Sequence, residues 1–165
     1  MLKRVQITAT TFISALLLLP CLTLASSDPV TLEQVLAMQD EPDGVVIEIV
    51  TGSDDALEWA LPQSKQYIEK LRKRFPGLPV AIVTHGREQF ALAKNNRNVD
   101  KKVHSLTQAL QKEGVPLHVC GTYAGWEGMT EEDFPEYVDV SAAGPAQIND
   151  YKAVGFLHII IDEDS

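Results

Sequence analysis

The sequence predicts an α/β fold in which a mainly parallel, five-stranded sheet is covered by helices on both faces. Strand-length runs of mostly β-branched residues alternate along the chain with segments of helical spacing, which is typical of strand–helix–strand units. The runs are apolar nearly throughout, as expected for strands that are buried on both faces. They lie at 45–50, 79–84, 115–120, 137–140 and 156–161.

The first 25 residues have the layout of an export signal. Lys3 and Arg4 precede an uncharged apolar stretch, and small residues begin at Ala25. We therefore predict a periplasmic or secreted protein that is cut near Ala25. Two alternatives remain: an uncleaved membrane anchor, which Pro20 would interrupt, and a lipid anchor on Cys21, for which a preceding proline is unusual.

The charge balance of the chain is strongly acidic. It has 14 basic and 23 acidic residues, and removal of Lys3 and Arg4 with the signal changes the net charge from −9 to −11 (12 against 23). Nucleic acids and anionic membranes are bound through clustered Lys and Arg, so we expect neither as a partner after cleavage. The remaining ~140 residues suffice for one domain. We assign 26–43 to a linker and short helix, and 44–165 to the domain.

The segment from 31 to 74 is predicted to hold two helices, one before and one after the first strand. Thr31 and Gln34 have capping-box spacing and open a short helix. After the first strand, a second helix runs from a cap near Asp54 to about Arg74. Pro62 lies inside that helix, so we expect a kink or a restart there.

The second half alternates shorter helices with the remaining strands. Gly114 and Gly155 each end a helix before a strand, as helix-terminating glycines do. Aromatic and glycine residues at 123–129 indicate a loop. The helical segments are predicted at 89–93, at 103–112, from 130 onward and at 145–154.

Cys120 is the last residue of the third predicted strand, and Gly121 follows it directly. Ligands of parallel α/β sheets bind beyond the carboxyl ends of the strands. Gly121 would let the backbone turn sharply and leave amide groups facing the sulfur, and such groups stabilise a thiolate. Without its signal the chain has no second cysteine, so Cys120 is a free thiol, an intermolecular partner or an inert core residue.

Four further residues are candidates to support Cys120. His85 ends the second predicted strand and Arg87 follows two residues later, so both would approach Cys120 if the two strands are neighbours. A nearby positive charge favours a thiolate. Tyr123 and Trp126 would form a wall of the site. Each also has a structural interpretation, as a hydrogen-bonded loop residue, a surface residue or loop packing respectively.

A metal site is a minor alternative. His118 and Cys120 are two residues apart on one strand and hence on one face, and His85 would be a third ligand. Their spacing matches no established metal motif, and we expect no cofactor.

Several short segments at strand and helix ends carry a resemblance to a known family: Thr84-His85-Gly86, Gly114-Val115, Val119-Cys120-Gly121, Tyr137-Val138-Asp139-Val140 and the final helix–Gly155–strand unit. In this order they resemble the DsrE/DsrF-like proteins. The stretch from Asp55 to Trp59-Ala60-Leu61 is similar to the start of the exported members. The resemblance covers about 45–161.

The resemblance implies a flavodoxin-like three-layer sandwich and a homo-oligomer, often a trimer or a hexamer. It also implies that Cys120 carries sulfur as a persulfide between a donor and an acceptor. The first hypothesis is therefore a periplasmic sulfur carrier or sulfurtransferase. The alternative is a non-catalytic oligomeric binding module of the same fold, in which Cys120 is structural.

Overall fold

The computed structural model describes residues 28–97 and 100–162. The predicted signal peptide at 1–25 lies outside these residues. The strands are β1 (Gly44–Ile49), β2 (Val80–Thr84), β3 (Leu117–Cys120), β4 (Asp139–Ser141) and β5 (Phe156–Ile161). The α-helices are α1 (Leu32–Leu36), α2 (Leu57–Arg74), α3 (Lys101–Lys112), α4 (Gly121–Trp126) and α5 (Gly144–Ala153). Shorter 3-10 helices span Arg87–Leu92, Lys94–Asn96 and Glu131–Asp133.

The described strands form one parallel sheet in the order β4-β3-β2-β1-β5. β1 is an interior strand, and its Val46 is aligned with Ala81 of β2 on one side and with His158 of β5 on the other. The β2–β3 register ends at the pair Thr84 and Val119. Residues that directly follow this pair, on each strand, therefore meet at the carboxyl edge of the sheet.

Helices cover both faces of the sheet, which makes three layers. On one face, Ile47 packs in the main core with Leu61 of α2 and Leu110 of α3. On the other face, Val46 packs in a smaller cluster with Ile148 of α5. The predicted α/β fold with a parallel five-stranded sheet is confirmed. No helix in the two described ranges is long and apolar enough to cross a membrane.

Two local predictions are wrong, and one of the two alternatives at Pro62 is excluded. The α2 helix is continuous, so it does not restart at Pro62; this exposed residue lies in the second turn, where it withdraws only one main-chain hydrogen bond. The segment predicted as a loop at 123–129 belongs largely to α4, which begins at Gly121. The fourth strand begins at Asp139 rather than at Tyr137, because pairing with β3 starts only there.

Candidate functional site

The thiol of Cys120 lies at the carboxyl edge of the sheet, between β3 and α4. Cys120 is the last residue of β3 and the N-cap of α4, and its Sγ accepts a hydrogen bond from the Tyr123 N–H at 3.4 Å. The residue is 5% exposed. Cys120 is thus a buried thiol that takes the role usually filled by Ser, Thr, Asp or Asn at the start of a helix.

Gly121 is required by space rather than by backbone conformation. Its φ is not positive, so the sharp turn expected after Cys120 does not explain it. A Cβ at this position would lie 2.9 Å from the carbonyl oxygen of Ser141 and 3.3 Å from the Val140 side chain. Glycine therefore lets the beginning of α4 pack directly on β4.

The main chain of Cys120 is held by the side chain of Gln89, which is fully buried. The Cys120 N–H donates to Gln89 Oε1 at 2.8 Å, and Gln89 Nε2 donates to the Cys120 carbonyl at 3.4 Å. Gln89 belongs to the 3-10 helix that follows β2. Because β2 and β3 are neighbouring strands, the segment that follows β2 can hold the end of β3.

His85 is directed away from Cys120. Its Nε2 lies 2.6 Å from Glu48 Oε1, and Glu48 belongs to β1, which flanks β2 on the side opposite β3. The same carboxylate accepts from His158 Nε2 of β5 at 2.5 Å. Burial alone would raise the pKa of Glu48, but the hydrogen bonds and charges of His158 and His85 outweigh it and lower the pKa to about 2.

This group of Glu48, His85 and His158 lies in the layer beneath α5. A Cβ on Gly144, the first residue of α5, would lie 2.4 Å from the Cβ of His85. The three polar side chains are 9–15% exposed. Within the described part of the chain, Nδ1 of His158 is buried without a hydrogen-bond partner. Glu48 therefore remains ionised beneath a closely packed helix because two imidazoles share it.

The histidines proposed as metal ligands have other partners. His118 Nε2 lies 2.9 Å from the Tyr151 hydroxyl of α5, and burial lowers the pKa of His118, which keeps it neutral. His85 is bound to Glu48. Among residues 28–97 and 100–162 there is no group of three or more His, Cys, Asp or Glu side chains placed to hold a metal ion.

Arg87 is a surface residue paired with Asp54. Its Nε and one terminal nitrogen each lie 3.1 Å from an Asp54 carboxylate oxygen, which makes a bidentate pair. The hydrogen bonds and charge of Asp54 raise the pKa of Arg87 above its ordinary value. The structure therefore does not place this guanidinium on Cys120.

Tyr123 and Trp126 form an aromatic row on α4 beside an open cleft. The Tyr123 ring lies 5.3 Å from the ring of Phe90 and 5.9 Å from that of Trp126, measured between centroids. Trp126 is 77% exposed. The cleft, of about 600 Å³, is lined by Phe90 and Met129 together with Arg87 and several carboxylates, and Cys120 does not line it.

The structure therefore brings Cys120, Gly121 and Tyr123 together, whereas His85 is paired with Glu48 and Arg87 with Asp54. Sequence reasoning missed Gln89 and Glu48. A signal for Glu48 was present, since a single carboxylate inside an otherwise apolar strand must find a partner. No local pattern pointed to Gln89, whose partner lies 31 residues further along the chain.

Comparisons with known proteins show the fold only. No family model matches the chain, and no curated protein matches it in sequence. Among solved structures it is similar to MTH1491 from Methanobacterium thermoautotrophicum, a protein of unknown function, with 21% identity and a TM-score of 0.56 over 74% of this chain and 100% of that one. It is also similar to the ychN protein from E. coli, with 12% identity and a TM-score of 0.52 over 72% and 99% of the two chains. The chain shares its three-layer α/β architecture with both proteins.

Proposed function

We propose that this protein is an exported DsrE/DsrF-like sulfur carrier that holds sulfane sulfur on Cys120. The observation that carries the proposal is the hydrogen bond from the Tyr123 N–H to Cys120 Sγ at the carboxyl edge of the sheet. Ligands of parallel α/β sheets bind at this edge. A thiol in this position has a donor ready for the negative charge that its reactive form carries.

A thiolate at Cys120 would accept a hydrogen bond from one main-chain N–H group that already contacts the thiol. The first N–H groups of a helix have no partners within it, and Sγ takes that of Tyr123. A persulfide anion on Cys120 would extend past this N–H toward the beginning of α4. The same end of the helix would therefore serve both the thiolate and the loaded form.

The loading step is a displacement at sulfur. The Cys120 thiolate attacks the sulfane sulfur of thiosulfate, the new S–S bond forms, and sulfite leaves with the electron pair of the broken bond. The product is a Cys120 persulfide. In the transfer step, the thiolate of an acceptor attacks the outer sulfur, and the Cys120 thiolate leaves. No external oxidant or cofactor is consumed, since the donor already holds the sulfur in the sulfane state.

Burial of Cys120 limits the donors that react. Cys120 is only 5% exposed, so bulky reagents are excluded and small donors such as thiosulfate or polysulfide fit best. The same burial shields a persulfide from water and from further oxidation.

Peptide-resolved mass spectrometry after exposure to polysulfide or thiosulfate tests the proposal. We expect the peptide that contains Cys120 to gain the mass of one sulfur, and Cys120→Ser to gain none while keeping its thermal midpoint. A thiol-alkylating reagent, run in parallel, measures access to the sulfur. An unloaded wild-type peptide with slow alkylation would contradict the proposal.

The second candidate is a non-catalytic oligomeric module, and the burial of Cys120 favours it. In that case the thiol serves only to cap α4. The family resemblance leads us to propose a homo-oligomer, with a trimer or a hexamer as the expected size. Light scattering during size-exclusion chromatography measures the mass directly. A Cys120→Ser variant that assembles normally while the wild type fails to load sulfur would favour the module.

A further inference from the structure

We propose that Gln89 is a positioning residue for the Cys120 thiol: its side-chain amide holds both main-chain polar groups of Cys120 and so aims the sulfur at the start of α4. The inference rests on the proposed sulfur-carrier function and adds to it the residue that sets the thiol in place. Its basis is the pair of hydrogen bonds of 2.8 and 3.4 Å between the Gln89 amide and the Cys120 main chain.

The strand geometry explains why a side chain is needed at this point. In a parallel ladder, a residue directs its N–H and its C=O to the same neighbouring strand. The Ile82 N–H donates to the Pro116 carbonyl, so the even-numbered residues at this end of β3 face β2. Cys120 thus faces β2 as well, but β2 ends at Thr84. The amide of Gln89 reaches both groups of Cys120 at the place where the neighbouring strand stops.

The segment that carries Gln89 is itself fixed. The fully buried Glu88 carboxylate accepts hydrogen bonds from the Thr84 hydroxyl at 2.5 Å and from the main-chain N–H groups of Gly86 and Thr51, both at 2.8 Å. These bonds connect the loop after β2 to the end of β1. Gln89 therefore projects from a rigid support, which a positioning residue requires.

The backbone conformation in which Gln89 holds Cys120 is the one that an N-cap residue of α4 requires. Cys120 is extended, with φ −86° and ψ 107°, and helical residues begin at Gly121. An N-cap residue needs extended backbone so that its side chain can turn back to the third residue of the helix. Loss of the amide would free this backbone and move Sγ away from the Tyr123 N–H. The thiolate would lose the donor on which the proposed chemistry depends.

The test compares Gln89→Met, of similar shape and without polar groups, with Asn96→Leu. Asn96 provides the matched control because its side-chain amide also donates to a main-chain carbonyl, that of Phe90 at 2.9 Å, but does not contact Cys120. The readout is thiolate absorbance near 240 nm against pH. Each protein is measured as a difference from its own Cys120→Ser partner, which isolates Cys120 even in a chain that keeps Cys21.

We expect Gln89→Met to move the midpoint of Cys120 ionisation to higher pH and to slow sulfur loading at neutral pH about tenfold. Asn96→Leu should leave both unchanged. If Gln89→Met does not fold, Gln89→Glu provides the second test. Its protonated form can bond both Cys120 groups and its ionised form repels the Cys120 carbonyl, so the loading rate should gain an additional pH inflection that the wild type lacks.

The outcomes separate this inference from the proposed function. A wild type that loads sulfur, with Gln89→Met and Gln89→Glu matching its pH profiles, would overturn the positioning role and leave the carrier function standing. A wild type that never loads, with a Cys120 midpoint that still shifts in Gln89→Met, would overturn the carrier function and keep the positioning of the thiol.

Discussion

The two faces of the sheet bury different kinds of residue, although helices cover both. Toward α2 and α3, the interior strand β1 directs Val45, Ile47 and Ile49, all fully buried in one apolar cluster. Toward α5 it directs Val46 and then Glu48, whose carboxylate binds two histidines.

The amount of helix on each face accounts for the difference. The apolar face is covered by α2, of 18 residues, and α3, of 12 residues. The opposite face is covered by α5, which has 10 residues. A fully covered face excludes water and stabilises the fold through apolar burial. The partly covered face accommodates ionisable groups as long as each has a partner. The first face therefore provides most of the apolar burial, whereas the second also buries a carboxylate with two histidine partners.

The largest expected effect is on the apolar face. Ile47→Ala should lower the free energy of unfolding by about 3 kcal/mol, because it leaves a cavity in a fully packed site. Urea denaturation measures the loss. Val50→Ala, at a residue 42% exposed, is the control and should change little. If Ile47→Ala and Val50→Ala lower the free energy of unfolding equally, burial on the apolar face is not the main source of stability.

The second effect concerns the close approach of α5 to His85. Gly144→Ala would place a methyl group within 2.4 Å of the His85 Cβ, so α5 must shift, at a cost of about 2 kcal/mol. Gly125→Ala is the matched control, since a Cβ in that helix meets nothing within 4 Å. The thermal midpoint should therefore fall in Gly144→Ala, and it should stay unchanged or rise in Gly125→Ala. A tolerated Gly144→Ala would show that α5 lies loosely on the polar face.

The third effect depends on pH. The pKa of Glu48 is lowered from 4.5 to about 2, so its ionised form stabilises the folded state above pH 4.5, and that stability is lost as the pH falls through 2. Glu48→Gln should cost about 2 kcal/mol at neutral pH. The difference between variant and wild type should shrink between pH 4.5 and 2 in denaturation experiments. A difference that stays constant over this range would contradict the assignment.

The smallest effect is expected at the exposed ion pair. Arg87→Ala removes a pair whose two side chains are 49% and 65% exposed, and such pairs contribute little. We expect no measurable change in the thermal midpoint, and no change in sulfur loading because Arg87 is paired with Asp54. A loss of loading in this variant would place Arg87 in the donor's path and make the cleft part of the site.

The strands could be predicted from the sequence because each is a local apolar run. The strand-end position of Cys120 follows from the same signal, and the structure confirms it. The α4 helix could not be predicted, because its cap is the sulfur of Cys120 rather than an oxygen side chain. Its glycine and aromatic residues therefore indicated a loop.

The other features that could not be predicted from the sequence depend on contacts between residues far apart in the chain. Glu48 and His158 are 110 residues apart, and the sequence gives no sign that β5 returns to lie beside β1. His104 of α3 is 3% exposed, with its Nδ1 2.6 Å from the Tyr137 hydroxyl. Each of these pairs is set by the strand order and by helix packing, which local periodicity does not encode.

The position of β5 has a consequence for the order in which the chain folds. β1 is formed early in the sequence but receives its second neighbour only from the last strand, Phe156–Ile161. The Val30 N–H also donates to the His158 carbonyl, so the segment before the domain is held by the last strand. During synthesis from the amino terminus, β1 therefore keeps only one neighbouring strand until nearly every residue is available. Contacts of such long sequence separation delay completion of the sheet.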